Sequence, residues 1–118
     1  MTLPKIAVTM GDPAGVGPEV CLRLLQDEAI ARLCTPIVFG SAAVLEQAAV
    51  QCCLDKPRKV VAGLSEADSP CVLDVGAIGL DDFTTGAVNA ATGRAAFTYI
   101  EDAINAALSG QIAAVTTA

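Results

Sequence analysis

The sequence predicts an α/β fold built on a parallel sheet, and three observations carry the prediction. Short apolar runs such as Ile6-Ala7-Val8-Thr9 and Ile37-Val38-Phe39-Gly40 alternate with segments of helical apolar spacing along the whole chain. The composition is 53% hydrophobic but only 3% aromatic, so the core must be mostly Ala, Val, Leu and Ile, which lets helices pack closely on a sheet. Met10-Gly11-Asp12-Pro13-Ala14-Gly15-Val16-Gly17-Pro18-Glu19-Val20 follows the first apolar run and precedes a helical pattern, giving strand, glycine-rich turn and helix start in that order. The 118 residues suffice for one domain with a sizeable core.

Lys5 to Thr9 reads as a buried first strand. Pro18 suits the first position of a helix, and Glu19 suits its first turn, where negative charge complements the helix dipole. Val20, Leu24, Leu25 and Ile30 continue the helical spacing, and Pro36 closes that element. Residues 37–40 form a second strand, and Ser41 caps a helix running to about Gln51 with Val44, Leu45 and Ala48 on one face. Residues 59–62 read as a third strand, residues 63–70 as irregular, residues 71–75 as a fourth strand and residues 81–85 as a loop, a candidate wall or flap. From about Thr92 a helix places Ala96, Tyr99, Ile100, Ala103, Ile104, Ala107 and Leu108 on one stripe. Gly110 ends it, and residues 112–116 return as a strand.

The net charge of −6 argues against a nucleic-acid partner, which calls for clustered Lys and Arg. No apolar run approaches the roughly 20 residues a membrane helix needs. Met1-Thr2-Leu3-Pro4-Lys5 lacks the basic and apolar regions of a secretory signal, so the expected compartment is the cytoplasm. The five cysteines, Cys21, Cys34, Cys52, Cys53 and Cys71, include no Cys-x-x-Cys pair, and histidine is absent. Zinc would need three or four of these thiols at spacings that match no familiar site, so they are expected to be free and mostly buried.

Gly11, Gly15 and Gly17 are spaced by four and two, unlike the dinucleotide fingerprint, and no Gly-Lys-Ser/Thr follows as a Walker loop requires. The loop has two readings from its residues. It can bring backbone close to an anionic ligand at a helix N-terminus, or it can be a βα turn in which Asp12 bonds nearby backbone.

Thr9 through Val20 resembles the N-terminal signature of the 4-hydroxythreonine-4-phosphate dehydrogenase family. Gly11-Asp12 followed by Gly17-Pro18-Glu19 is also similar to the opening loop of isocitrate and isopropylmalate dehydrogenases, whose fold that family shares. Gly86, Ala91-Thr92-Gly93, Tyr99-Ile100, Ala103, Gly110 and Ala114-Val115-Thr116 follow the family's order of loop, helix and strand, while residues 51–80 match weakly. The resemblance implies an incomplete parallel-sheet α/β/α sandwich of the isocitrate/isopropylmalate dehydrogenase-like type. Residues 1–118 would be the N-terminal portion of a two-domain dehydrogenase, with no internal boundary. The family's metal-binding histidines and phosphate-holding basic residues have no matching position here, so the resemblance carries over no catalytic residue and no metal ligand.

For the intact enzyme the resemblance implies NAD-dependent oxidation, with decarboxylation, of 4-phosphooxy-L-threonine in pyridoxal phosphate (vitamin B6) biosynthesis. NAD or NADP would accept the hydride, and a divalent metal (Zn, Mg or Co) would polarise the hydroxyl. A close variant acts on 4-phospho-D-threonate or the corresponding erythronate. The family is homodimeric, with its active site in an interdomain cleft, and Gly11, Asp12, Pro13 and Gly15 are expected to edge that cleft on the cofactor or substrate side. A reading from another class makes the chain a non-catalytic fragment that binds or supports a partner. A third, an acyl-phosphate transferase needing no NAD, is disfavoured by residues 11–20. On its own the chain is expected to be inactive and, with sheet edge and helix faces uncovered, prone to instability or self-association.

The remaining polar candidates have plainer readings. Asp81 and Asp82 are adjacent, so their side chains point apart, as in a solvated loop. Asn89, Thr92 and Arg94 stand at the entry to the last helix: Thr92 to cap it, Asn89 to bond a neighbouring turn, Arg94 on the surface or steering a phosphate. Thr116 and Thr117 end the last strand, either at a cleft edge or capping a following helix.

Overall fold

A computed structural model describes residues 2–87 and 89–118. The chain runs through β1 (Lys5–Thr9), α1 (Gly17–Leu25), α2 (Glu28–Leu33), β2 (Thr35–Gly40), α3 (Ala42–Cys52), β3 (Val60–Val61), β4 (Cys71–Asp74), α4 (Ala90–Leu108) and β5 (Ala114–Thr117). The strands form one sheet in the order β3-β4-β2-β1-β5, and every pairing is parallel. The α/β parallel-sheet expectation therefore holds. Ile6 lies between Pro36 and Ala114, and Thr9 between Phe39 and Thr117.

From β1 the chain steps to β2 on one side, whereas β5 returns to the other side of β1. Right-handed crossovers turn this reversal of direction into helices on opposite faces. Accordingly α1 and α3 pack on each other and on β2 and β4, while α4 packs on β1, β2 and β5. All six residues of β2 are buried, as a central strand of a covered parallel sheet requires. Ala7, Val8, Cys21, Leu22, Ile37, Val38, Phe39, Leu45, Val72 and Tyr99 make the centre of the core, where each large aliphatic side chain contributes roughly 1.5–3 kcal/mol.

Several boundaries differ from expectation. The first long helix is two helices: Asp27 accepts hydrogen bonds from the N–H groups of Ala29 (2.9 Å) and Ile30 (3.2 Å), ending one helix and capping the next. Helix α1 starts at Gly17, so Pro18 is its second residue, and Val20 faces solvent while Cys21 and Leu22 are buried. Pro36 does not close a helix; it sits inside β2. Strand β3 is reduced to Val60–Val61, β4 ends at Asp74, and β5 is shifted to Ala114–Thr117. The buried face of α4 is Thr92, Ala95, Tyr99, Ala103 and Ala106; Ile100, Ile104 and Leu108 of the expected stripe are exposed. All five cysteines are free, but only Cys21 and Cys71 are buried. Among the described residues no helix is long and apolar enough to cross a membrane.

Candidate functional site

The glycine loop leaves the carboxyl end of β1 at the point where the strand order reverses, between β1 and β5. In open parallel sheets that crevice is where ligands bind. The loop's geometry follows from a few contacts. Met10 extends the β1–β2 pairing by donating its N–H to the Phe39 carbonyl at 3.0 Å, and its side chain is fully buried. Gly11 turns the chain with φ +78°. The Asp12 carboxylate accepts from the Ala14 N–H at 2.8 Å, and the Asp12 carbonyl accepts from the Gly15 N–H at 2.9 Å. Helix α1 then begins against the Met10 carbonyl, and a Cβ on Gly17 would stand 1.9 Å from that oxygen. Only glycine lets the helix start here.

Helix α1 has no side-chain cap: Val16 occupies the N-cap position and Pro18 has no N–H to offer. Its amino end is left to solvent or to a ligand, and it opens beside the turn that Asp12 braces. The end of β5 closes the other side. Ala118 donates its N–H to the Thr9 carbonyl at 3.0 Å, and its own carbonyl would lie 3.5 Å from a Cβ on Gly11. Thr116 and Thr117 are exposed at this edge. Thr9 is fully buried beneath the loop, and among the described residues its hydroxyl has no partner. The Tyr99 hydroxyl is in the same position; burial first, and the Asp74 charge second, push it from 10.0 to about 12.

Asp81 and Asp82 are exposed, and Asp82 turns inward only to brace its own loop, accepting from the Gly79 N–H at 2.8 Å. Asn89, not Thr92, caps α4 by accepting from the Thr92 N–H at 2.8 Å. Asn89 also donates to the Asp82 carbonyl at 3.0 Å, the bond to a neighbouring turn that its position suggested. Thr92 is buried and donates back to the Asn89 carbonyl at 3.0 Å, and Arg94 is exposed.

The sequence marks residues 81–85 as a loop and Gly86 as part of a matching pattern, but not what they touch. Gly86 donates its N–H to the Ala14 carbonyl at 2.8 Å, and Phe83 lines a small cleft of about 60 Å³ with Pro13, Gly15, Pro18, Val44 and Cys52. Partial burial, and then the neighbouring Glu19 carboxylate, push the Cys52 thiol up, so it is a poor nucleophile. A larger cavity, about 330 Å³, lies elsewhere, at the amino ends of β3 and β4 among Leu22, Leu25, Lys56, Arg58 and Cys71. Ligands of parallel sheets gather at the carboxyl ends, so the glycine loop remains the candidate site. Among the described residues no three of His, Cys, Asp and Glu converge to hold a metal. The loop itself offers only Asp12, already committed to Ala14, so these residues alone do not fit a metal centre.

Comparison with known proteins covers the same ground from outside. The family described as pyridoxal phosphate biosynthetic protein PdxA matches residues 32–118. A 4-hydroxythreonine-4-phosphate dehydrogenase of Synechocystis is 37% identical over 120 residues, covering 100% of this chain and 33% of that protein. A Clostridium botulinum protein, provisionally named D-threonate 4-phosphate dehydrogenase, is 32% identical, covering 97% of this chain and 35% of its own. The crystal structure of a 4-hydroxythreonine-4-phosphate dehydrogenase from Burkholderia phymatum superposes with a TM-score of 0.86 at 36% identity, covering 99% of this chain and 36% of that one. The chain thus spans about a third of the length of the relatives it matches.

Proposed function

Because the chain belongs to the pyridoxal phosphate biosynthetic protein PdxA family, we propose that it supplies the N-terminal third of a dehydrogenase acting on a small phosphorylated hydroxy acid. The observation that carries this reading is the position of the glycine loop at the switch point of the sheet, with an uncapped helix N-terminus beside it. Gly11, Asp12, Pro13 and Gly15 edge the cleft. The glycines let a ligand approach the backbone, and the amino end of α1 favours the ligand's negative charge. Asp12 keeps the turn in shape through Ala14.

The substrate proposed is 4-phosphooxy-L-threonine, oxidised and decarboxylated on the way to pyridoxal phosphate. NAD or NADP would take the hydride and a divalent metal would polarise the hydroxyl, and no residue of this chain is assigned to either. A cytoplasmic homodimer is part of the same proposal. The Clostridium relative favours a second substrate, D-threonate 4-phosphate.

The test is intact-mass measurement of the protein from the cells that make it, followed by an assay for reduced nicotinamide with both substrates, with and without chelator. We expect turnover from a polypeptide about three times this length and none from the 118 residues alone. A longer polypeptide that turns over neither substrate with NAD or NADP would refute the assignment. A protein of 11.9 kDa made as such in the cell would favour the binding or structural reading.

A further inference from the structure

We propose that residues 76–87 form a clamp on the glycine loop, with Phe83 as the positioning side chain that holds the loop in its ligand-ready shape; this rests on reading that loop as the edge of the cleft. The segment leads from β4 toward α4 and braces itself. Asp82 donates its N–H to the Gly79 carbonyl at 3.1 Å, its carboxylate accepts from the Gly79 N–H, and Ala87 donates to the Thr84 carbonyl at 3.0 Å. Gly76 (φ +66°) and Gly86 (φ +84°) bound the unit, and a Cβ on either would meet nothing within 4 Å. The backbone turns at these two points, and not crowding, are what call for glycine.

Such a self-braced unit moves as one piece, so its few outside attachments decide what it does. Ile78 is buried in the core, and Asn89 ties the unit to the start of α4. The other two attachments reach the glycine loop itself. One is the 2.8 Å hydrogen bond from Gly86 to the Ala14 carbonyl. The other is Phe83, half-buried, which lines the same small cleft as Pro13, Gly15 and Pro18 of the loop and its helix start and Val44 and Ala48 of α3. An aromatic wall there borders both the glycine loop and α3 and limits how far the loop can move across the cleft. The segment has no catalytic group in contact with the loop; its effect on a ligand passes through loop geometry.

The chain carries its own reporter. Cys52 lines the same cleft as Phe83 and Thr85, whereas Cys53 is exposed at the left-handed end of α3. Alkylation of each cysteine is followed by mass spectrometry, together with amide exchange at residues 14–17, in the wild type, Phe83→Ala and Phe83→Leu. Removing a half-buried aromatic should speed Cys52 labelling about tenfold relative to Cys53. Exchange at residues 14–17 should rise in parallel, Cys21 and Cys71 should stay protected, and Phe83→Leu should restore most of the protection. Unchanged Cys52 labelling in Phe83→Ala would overturn the proposal. A rise shared by Cys21 and Cys71 would overturn it too, since Phe83 would then serve the core at large. Neither readout needs cofactor or substrate, so the clamp can fail while the dehydrogenase assignment stands, and the reverse.

Discussion

Gly17→Ala sets two effects of known size against each other. Within a helix, replacing glycine by alanine ordinarily stabilises by up to ~1 kcal/mol. At Gly17 the new Cβ would stand 1.9 Å from the Met10 carbonyl oxygen and 3.0 Å from its carbon. Both are backbone atoms, so no rotamer change relieves the contact; the end of β1 or the start of α1 must move. Moving β1 would disturb the bond from Met10 to Phe39, and moving α1 would disturb buried Cys21 and Leu22. Overpacking costs about 1–3 kcal/mol, and a 1.9 Å contact with a backbone atom lies at the top of that range, about 3 kcal/mol or more, against the ~1 kcal/mol gained. The clash therefore wins, for a net loss of about 2 kcal/mol or more. At roughly 4 °C per kcal/mol for a domain of this size, the melting temperature falls by about 8 °C or more. The control is Gly93→Ala in the exposed part of α4, where a Cβ meets nothing within 4 Å and the sign should reverse to a gain of about 0.5–1 kcal/mol. Urea and thermal unfolding followed by circular dichroism would measure both. If Gly17→Ala matches the wild type, or shifts in the same direction as Gly93→Ala, the tight start of α1 is wrong.

Tyr99→Phe removes a buried hydroxyl that has no partner among the described residues and should stabilise the chain by about 0.5–1 kcal/mol in urea unfolding, against the usual direction of core changes. The same variant reports on pH. Folding raises the Tyr99 pKa from 10.0 to about 12, so between those values the folded chain holds a proton that the unfolded chain has released. Stability is thus fully present below 10.0 and declines toward 12, and Tyr99→Phe should show a shallower decline over that range. Asn89→Ala should cost about 1 kcal/mol and speed amide exchange at Thr92, the N–H that Asn89 caps; unchanged exchange there would move the cap elsewhere. Thiol labelling of the folded wild type should begin at exposed Cys53 and end at Cys21, whose thiol burial pushes up to about 12; early labelling of Cys21 would contradict its placement in the core.

Much of this architecture is legible in the sequence because local chemistry and tertiary demand agree. Ser41 caps α3 as read, accepting from the Val44 N–H at 3.3 Å, and the parallel sheet follows from the alternation of its elements. The failures lie where two local signals compete. Asp27 satisfies an apolar helical spacing and an N-cap equally well, and the cap prevails. In α4 Tyr99 and Ala103 of the expected stripe are buried, whereas Ile100, Ile104 and Leu108 of that stripe are exposed. Thr92, Ala95 and Ala106 complete the buried face instead, because small residues let a helix approach the sheet closely. Phe97 (64% exposed) and Leu108 (81%) are left outside. At the site, the glycine motif announces a turn. The need for Gly17 becomes visible only once Met10 is folded against it, and the attachment of Phe83 and Gly86 joins segments about seventy residues apart.

The pairing of β5 with β1 also sets a timetable. Ile6 leaves the ribosome well before its partner on one side, Ala114, which emerges only after the whole of α4. Until then one edge of β1 has only water as its partner, and the glycine loop lacks the Ala118 wall that closes it. Pairings of such long sequence separation are slow to form. Strand β1 and the glycine loop after it are therefore among the last parts of this fold to reach their final geometry, and the nascent chain carries an unguarded strand edge until β5 emerges.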